Sequence, residues 1–286
     1  MSERVELLAP AKINLTLEVK GRREDGFHEI ESLVAPISLF DTLEFARSDR
    51  DGLSFSCDDP SLPTGDDNLV VKAAKLFCQR FHVPPNLRID LRKKIPHGAG
   101  LGGGSSNAAA TLLGLNQLFE KALSREALCE CAAQLGSDVP LFVFQSAALI
   151  RGRGERVEQV DFPHALPLLL IKPSFGVPTP WAYSRWRDSR EIPGVPYARQ
   201  EFSWGTLVND LERPVFEKYL FLADLKSWLL VQPEAEGALM SGSGSTVFAV
   251  LRSKEQGAAL LDRLRQEFGP DLWTCFCEVL TGPTEK

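Results

Sequence analysis

The chain reads as an α+β protein in two domains, and three features predict it. Strand-like alternation fills the first ninety residues, helical spacing appears in separate blocks after them, and the stretch RGRGERVEQV divides the chain near its middle. With 286 residues, 44% of them hydrophobic, the chain can bury full cores. Setting the division in that stretch makes residues 1–157 one domain and 158–286 the other.

The elements follow in order. VELLA, KINLTLEVK, HEIESLVAPISL and DTLEFA read as strands bounded by turn residues, with Asp25-Gly26 as the tight turn. NLVVKAAKLFCQRFH takes helical spacing and ends at Pro84-Pro85, after which NLRIDLRKK returns to alternation. SSNAAATLLGLNQLF reads as a buried helix, and Ser124 caps SREALCECAAQLG, which stops at Gly136. LFVFQSAALI is apolar enough for an interior strand, and RGRGERVEQV for a hairpin or linker. The second half opens with the strand LPLLLIKP, bends through GVPTPWAYSRW, and carries helices around residues 214–231. Strand, glycine turn, strand, helix and strand then run from Gly237 to Val279.

Composition narrows the function. A net charge of −6 and a pI near 5.4 leave no basic excess for a nucleic-acid backbone, so no nucleic-acid partner is expected. No apolar run reaches the roughly 18 residues of a membrane span, and MSERVELLAPAKINL lacks a signal core, so the expected place is the cytoplasm with no membrane partner. No two of the six cysteines have the spacing of a zinc knuckle, which makes them buried or idle thiols, expected reduced.

HGAGLGGGSS carries chemistry. It sets five glycines between Gly98 and Gly104, after a strand and before a helix. Glycine is entropically costly, so such a run has a use where bare backbone is the working part. A strand that turns into a helix offers free N–H groups at the positive end of the helix dipole, and phosphate is the natural guest. Ser105 and Ser106 add hydroxyls for phosphate oxygens or a magnesium ion. A Walker loop is excluded because no lysine follows Gly104, and a dinucleotide fingerprint fits only by forcing Gly98, Gly100 and Gly103. The plain alternative is a flexible connecting turn.

PHGAGLGGGSSNAA resembles the second motif of the GHMP kinases, small-molecule kinases that bind ATP without a Walker lysine. APAKINLTLEV, DGFHEI and GALMSGSGSTVFAV, in order from Ala9 to about Val250, resemble the branch of that superfamily whose acceptor is 4-diphosphocytidyl-2-C-methyl-D-erythritol. The resemblance implies a ribosomal-protein-S5-like N-terminal domain, a ferredoxin-like C-terminal domain and an active site between them. It implies ATP and Mg2+ as cofactors, and transfer of the γ-phosphate to the acceptor's 2-hydroxyl. It also implies nucleotide contacts from Pro96, His97, Gly98, Ala99, Gly100, Leu101, Gly102, Gly103, Gly104, Ser105 and Ser106, with further ones from Asn68 and Lys93.

On the residues alone, Lys12, Asn14 and Thr16 share one strand face opposite Ile13, Leu15, Leu17 and Val19, a pattern that also describes a solvated face. The resemblance puts Lys12 and Asn14 in the active site. Asp138 in QLGSDVPLF reads unaided as a turn former; the resemblance makes it the catalytic base, with Lys12 either activating it or steadying the transferring phosphoryl group. Phe27 and His28 read unaided as hairpin residues; the resemblance has Phe27 stack on the cytosine and His28 read its edge, with Tyr183 on the base's other side. The family usually places tyrosine where this chain has Phe27, so a phenol hydrogen bond is absent here. In SGSGSTVFAV, Gly242 and Gly244 read as turn formers, and the resemblance places that loop beside the phosphate cradle. The rivals are a GHMP kinase acting on homoserine, mevalonate or a sugar, and a non-catalytic nucleotide- or RNA-binding module; the stacking ring and base-reading imidazole of DGFH and the pair Lys12 and Asp138 argue against them. The oligomeric state is not legible in the sequence.

Overall fold

The computed structural model describes residues 4–282. Its spine is a single long strand, β3 (His28–Arg47), into which HEIESLVAPISL and DTLEFA merge without a break. Along one edge β3 pairs with β1 (Arg4–Asn14) and β2 (Thr16–Arg22), and along the other with β5 (Leu87–Arg92) and β6 (Ala148–Gly152). β4 (Leu53–Cys57) extends the sheet beyond β5, and β7 (Arg156–Gln159) forms the expected hairpin with β6. The register of β1 against β3 shifts between Pro10 and Ala11, a bulge where a proline is tolerated because the ladder is already interrupted. Beyond that bulge β1 carries Lys12 and Asn14 toward the helix α2 (Gly103–Leu118).

Helices cover one face of this sheet. α2 is apolar around most of its circumference, as an interior helix must be, and its neighbours are α1 (Leu69–Phe81), α3 (Arg125–Leu135) and α4 (Val139–Phe144). α4 departs from expectation: LFVF is helical, and only ALIRG pairs as a strand. The physical reason is local. Gly136 ends α3, Pro140 falls in the first turn of the next helix, where its missing N–H is no loss, and burial against α2 and α3 outweighs the strand preference of the side chains.

A second sheet, antiparallel and ordered β11–β12–β8–β13, is formed by β8 (Pro167–Lys172), β11 (Ala235–Met240), β12 (Val247–Leu251) and β13 (Trp273–Glu278). Alternate residues of β8 and β12 face opposite ways, and both faces are buried. Leu168, Leu170, Phe248 and Val250 meet Ile13, Leu15, Ala35 and Ile37 of the first sheet, while Leu169, Ile171, Val247 and Ala249 join the core that includes α6 (Glu212–Lys218), α7 (Leu220–Leu230) and α8 (Gly257–Phe268). GVPTPWAYSRW is a bend only as far as Pro178, and α5 (Thr179–Arg185) follows. Sequence reasoning missed β9 (Gln200–Phe202) and β10 (Gly205–Asn209). They return to the first sheet, where β10 pairs in parallel with β2. No described helix is long and apolar enough to cross a membrane, and all six cysteines are free thiols.

The turn from β5 into the glycine loop is anchored by Asp41, a fully buried carboxylate on β3. It accepts from the amides of Lys94 and Ile95 at 2.7 and 2.9 Å, from Asn107 Nδ2 on α2 at 2.9 Å, and from the Lys93 ammonium. One side chain therefore ties strand end, loop and helix together. Asp41→Ala leaves the Lys93 ammonium without its partner and should cost about 3–5 kcal/mol of unfolding free energy, measured by urea denaturation.

Candidate active site

The glycine loop reaches α2 through three left-handed residues, Gly98, Gly100 and Gly102, with φ of 63°, 75° and 71°. The first intrahelical bond runs from the Ser106 amide to the Gly102 carbonyl at 2.9 Å, so the amides of Gly103, Gly104 and Ser105 precede the helical ladder and project from its positive end. Gly100 shows why glycine is needed: a Cβ there would stand 2.2 Å from the Ser241 carbonyl oxygen and 2.9 Å from that of Gly244. The SGSGS turn of the second sheet thus lies backbone to backbone on the loop, joined by Ser241 Oγ donating to the Gly100 carbonyl at 3.0 Å and by the Thr246 amide donating to Ala99 at 3.2 Å.

Lys12 enters beneath this junction. Its amide donates to the Leu101 carbonyl at 3.0 Å, its Nζ donates to Asn14 Oδ1 at 2.5 Å, and Asn14 Nδ2 donates to Ser32 Oγ at 2.8 Å. Both side chains are buried, so the polar strand face is not a solvated one. Burial lowers the pKa of the Lys12 ammonium, and the nearby Asp138 carboxylate opposes that shift. Asp138 stands at the head of α4 without making a capping bond, which leaves its carboxylate available to the site.

Two cavities meet here. One, of about 380 Å³, is lined by Lys12, Asn14, Asn68, Lys93, every residue from Pro96 to Ser105, Asp138 and Tyr183. The other, of about 820 Å³, is lined by Phe27, His28, Ser105, Asp138 and Tyr183 together with Arg22, Arg153, Trp186 and Arg187. Ser105 and Asp138 line both. Ser106 lies apart, buried in the first turn of α2, with a hydroxyl that has no hydrogen-bond partner among the described residues. Asn68 caps α1, accepting from Val70 at 2.9 Å and donating to the Pro63 carbonyl at 2.8 Å, and Lys93 is engaged by Asp41; each lines the first cavity while holding the backbone around it.

In the larger cavity the His28 imidazole stacks on Tyr183 at 5.4 Å and meets Trp186 edge-on at 6.2 Å. Burial, with help from Arg22, lowers the His28 pKa, which favours a neutral ring carrying one donor and one acceptor. Burial raises the Tyr183 pKa, and Asp138 adds to the rise. Phe27 is half exposed, with the Arg153 guanidinium 5.0 Å above its ring.

The arrangement sets the glycine loop beside an aromatic cavity, with Asp138 lining both. The GHMP kinases N terminal domain profile matches residues 68–146, and the GHMP kinases C terminal profile matches residues 199–271. A 4-diphosphocytidyl-2-C-methyl-D-erythritol kinase from Methylacidiphilum infernorum (isolate V4) is 43% identical over 285 residues, covering 98% of each chain. The chain belongs to that kinase family within the GHMP superfamily. A crystal structure of 4-(cytidine 5'-diphospho)-2C-methyl-D-erythritol kinase superposes with a TM-score of 0.79 at 34% identity, covering 96% of this chain and 99% of that one. Homoserine kinase from Cytophaga hutchinsonii, at 18% identity and a TM-score of 0.69 over 99% and 96% of the two chains, shares the fold. The two-domain GHMP kinase fold is therefore established for this chain.

For this kinase, sequence reasoning missed the residues that line the cavities by tertiary placement. Thr179 lines both, 2.8 Å from Ser243 Oγ, and carried no signal beyond its place in a proline-rich bend. Trp186 and Arg187 follow Tyr183 closely enough that one helical turn could have placed them beside it. Replacing Asp138 by Asn removes the charge that opposes the desolvation of Lys12, so the Lys12 ammonium should titrate at lower pH than in the unaltered chain. Nitrogen NMR of Lys12 Nζ across an alkaline titration measures this; an unmoved titration would show that the two groups do not interact.

Proposed function

We propose that this kinase transfers the γ-phosphate of ATP to the 2-hydroxyl of 4-diphosphocytidyl-2-C-methyl-D-erythritol, an isoprenoid precursor, in the cytoplasm. The observation that carries the reading is the meeting of the two cavities at Ser105 and Asp138. It lets a nucleotide on the glycine loop and an acceptor in the aromatic cavity present their reacting ends to each other.

The polyphosphate lies against the loop amides and the positive end of α2. Asp138 orients the acceptor hydroxyl and takes its proton; the oxygen bonds to the γ-phosphorus as the bond to the bridging oxygen breaks, and ADP leaves. Lys12, fixed by Asn14, steadies the negative charge on the transferring group. Magnesium prefers oxygen donors and keeps waters and phosphate oxygens in its shell, so one hydroxyl and one carboxylate beside a phosphate cradle suit it. Ser105 and Asp138 would hold such an ion, which would supply neutralisation of phosphate charge there.

The acceptor's cytosine fits the aromatic cavity, with Phe27 as a stacking surface and His28 as a neutral edge reader. Its diphosphate fits the cavity's arginines. Arg23 and Arg151 nearby are bridged to carboxylates, whereas Arg22, Arg153 and Arg187 have no ion-pair partner among the described residues. A homoserine or mevalonate kinase has no use for these features.

Assay of ATP consumption with the cytidyl acceptor, mevalonate and homoserine in parallel tests the reading, and turnover of either small alcohol in preference to the cytidyl compound would overturn it. Asp138→Asn should lower kcat by about 10²–10⁴-fold while calorimetry shows ATP still binding. Replacing Arg22 and Arg187 together by Ala should raise the acceptor KM by about 10–100-fold with kcat and the ATP KM little changed, and added salt should weaken the unaltered chain more than the variant.

A further inference from the structure

The SGSGS turn is held from an unexpected direction. It leaves β11 in the second sheet, yet its first glycine is fixed by Asn209, the last residue of β10, which pairs with β2 of the first sheet. Asn209 is buried, and its whole hydrogen-bonding capacity is directed. Nδ2 donates to the Met240 carbonyl at 2.7 Å and to the Gly242 carbonyl at 2.8 Å, while Oδ1 accepts from the Leu211 amide at 2.9 Å. The acceptor role of Oδ1 toward an amide fixes which end of the side chain carries the hydrogens.

Gly242 stands where this matters. With φ of 57°, it approaches so closely that a Cβ would be 3.2 Å from Lys12 Nζ and 3.3 Å from Asn14 Oδ1. The bonds from Ser241 and Thr246 tie the turn to the nucleotide loop, and Glu212, whose Oε2 pairs with Lys226, accepts with Oε1 from the Met240 amide at 2.9 Å and fixes the end of β11. Those ties set the position of the turn along the loop. The Asn209 amide grips the part of the turn that faces the Lys12 ammonium.

We infer that Asn209 is a positioning residue for phosphoryl transfer: by gripping the Met240 and Gly242 carbonyls from the first sheet, it holds the SGSGS turn against Lys12 and so fixes where that ammonium stands. The inference rests on the assignment of Lys12 to the transferring group, and it assigns Asn209 no contact with either substrate. Losing the grip therefore affects the reacting geometry more than the binding of ATP or acceptor.

Asn209→Asp is the discriminating variant. It is nearly isosteric and keeps the acceptor for Leu211, but it replaces two donated bonds by a carboxylate facing two carbonyl oxygens. The expected result is a fall in kcat of about 10–100-fold with both KM values little changed. Relative kcat should recover in part as the pH falls, because burial against two carbonyl oxygens raises the pKa of the introduced carboxyl and its protonation returns one donor. Leu264→Ala, a core truncation on α8, provides the comparison for general destabilisation: it should lower the melting temperature and leave kcat near that of the unaltered chain. A kcat for Asn209→Asp close to the unaltered value, or reduced no further than in Leu264→Ala, overturns the inference. Lys12→Met separates the two levels. If it abolishes turnover while Asn209→Asp does not, only the positioning role fails; if it leaves turnover intact, the assignment of Lys12 itself fails.

Discussion

The site depends on the contact between two glycine turns from different sheets. Gly100 and the Ser241–Gly244 turn lie so close that their backbones touch, and no side chain fits between them. This approach draws the amides of the nucleotide loop, the Lys12 ammonium and the head of α4 into one small volume. Glycine's conformational entropy cost is the price of that geometry, and the buried hydrogen bonds from Ser241, Thr246 and Asn209 offset it.

Charge is distributed around this contact in two different ways. At its centre, Lys12 is stripped of water, which lowers its pKa, and is supported by Asn14 and by the field of Asp138. In the neighbouring cavity, Arg22, Arg153 and Arg187 have no carboxylate partner among the described residues, although the chain as a whole is acidic. A pre-satisfied guanidinium gains little from a new anion, whereas an unpartnered one keeps its full capacity for a diphosphate. The aromatic rings between these regions are packed on one another, His28 on Tyr183 and Trp186, which holds the imidazole in one orientation.

Legibility differed sharply between elements. α1, α3 and β5 follow their own periodicity, and α2 its unbroken apolar run, because such patterns and the Ser124 cap and Gly136 stop are local properties. LFVF misled because its composition suits a buried strand or a buried helix equally, and only packing against α2 and α3 decided between them. β9 and β10 were invisible because short, half-buried strands carry little alternation, and β2, which β10 pairs with, lies nearly two hundred residues earlier in the chain. With β10 went Asn209, a polar residue whose role depends wholly on what it reaches.

The sequence by itself determined the glycine-rich turn between β5 and α2, with free amides at the positive end of the helix. Glycine spacing and helix polarity are written within ten consecutive residues, and no distant partner is needed to read them. The motif resemblance extended that to Lys12, Asp138, Phe27 and His28 as one set. Tertiary structure alone decided that the glycine-loop cavity and the aromatic cavity share Ser105 and Asp138, that Asp41 ties Lys93 to α2, and that Asn209 reaches across from one sheet to hold the turn of another. Those relations are distances between segments remote in the chain, and they come into being only when the two sheets bury Ile13 and Leu15 against Leu170 and Phe248.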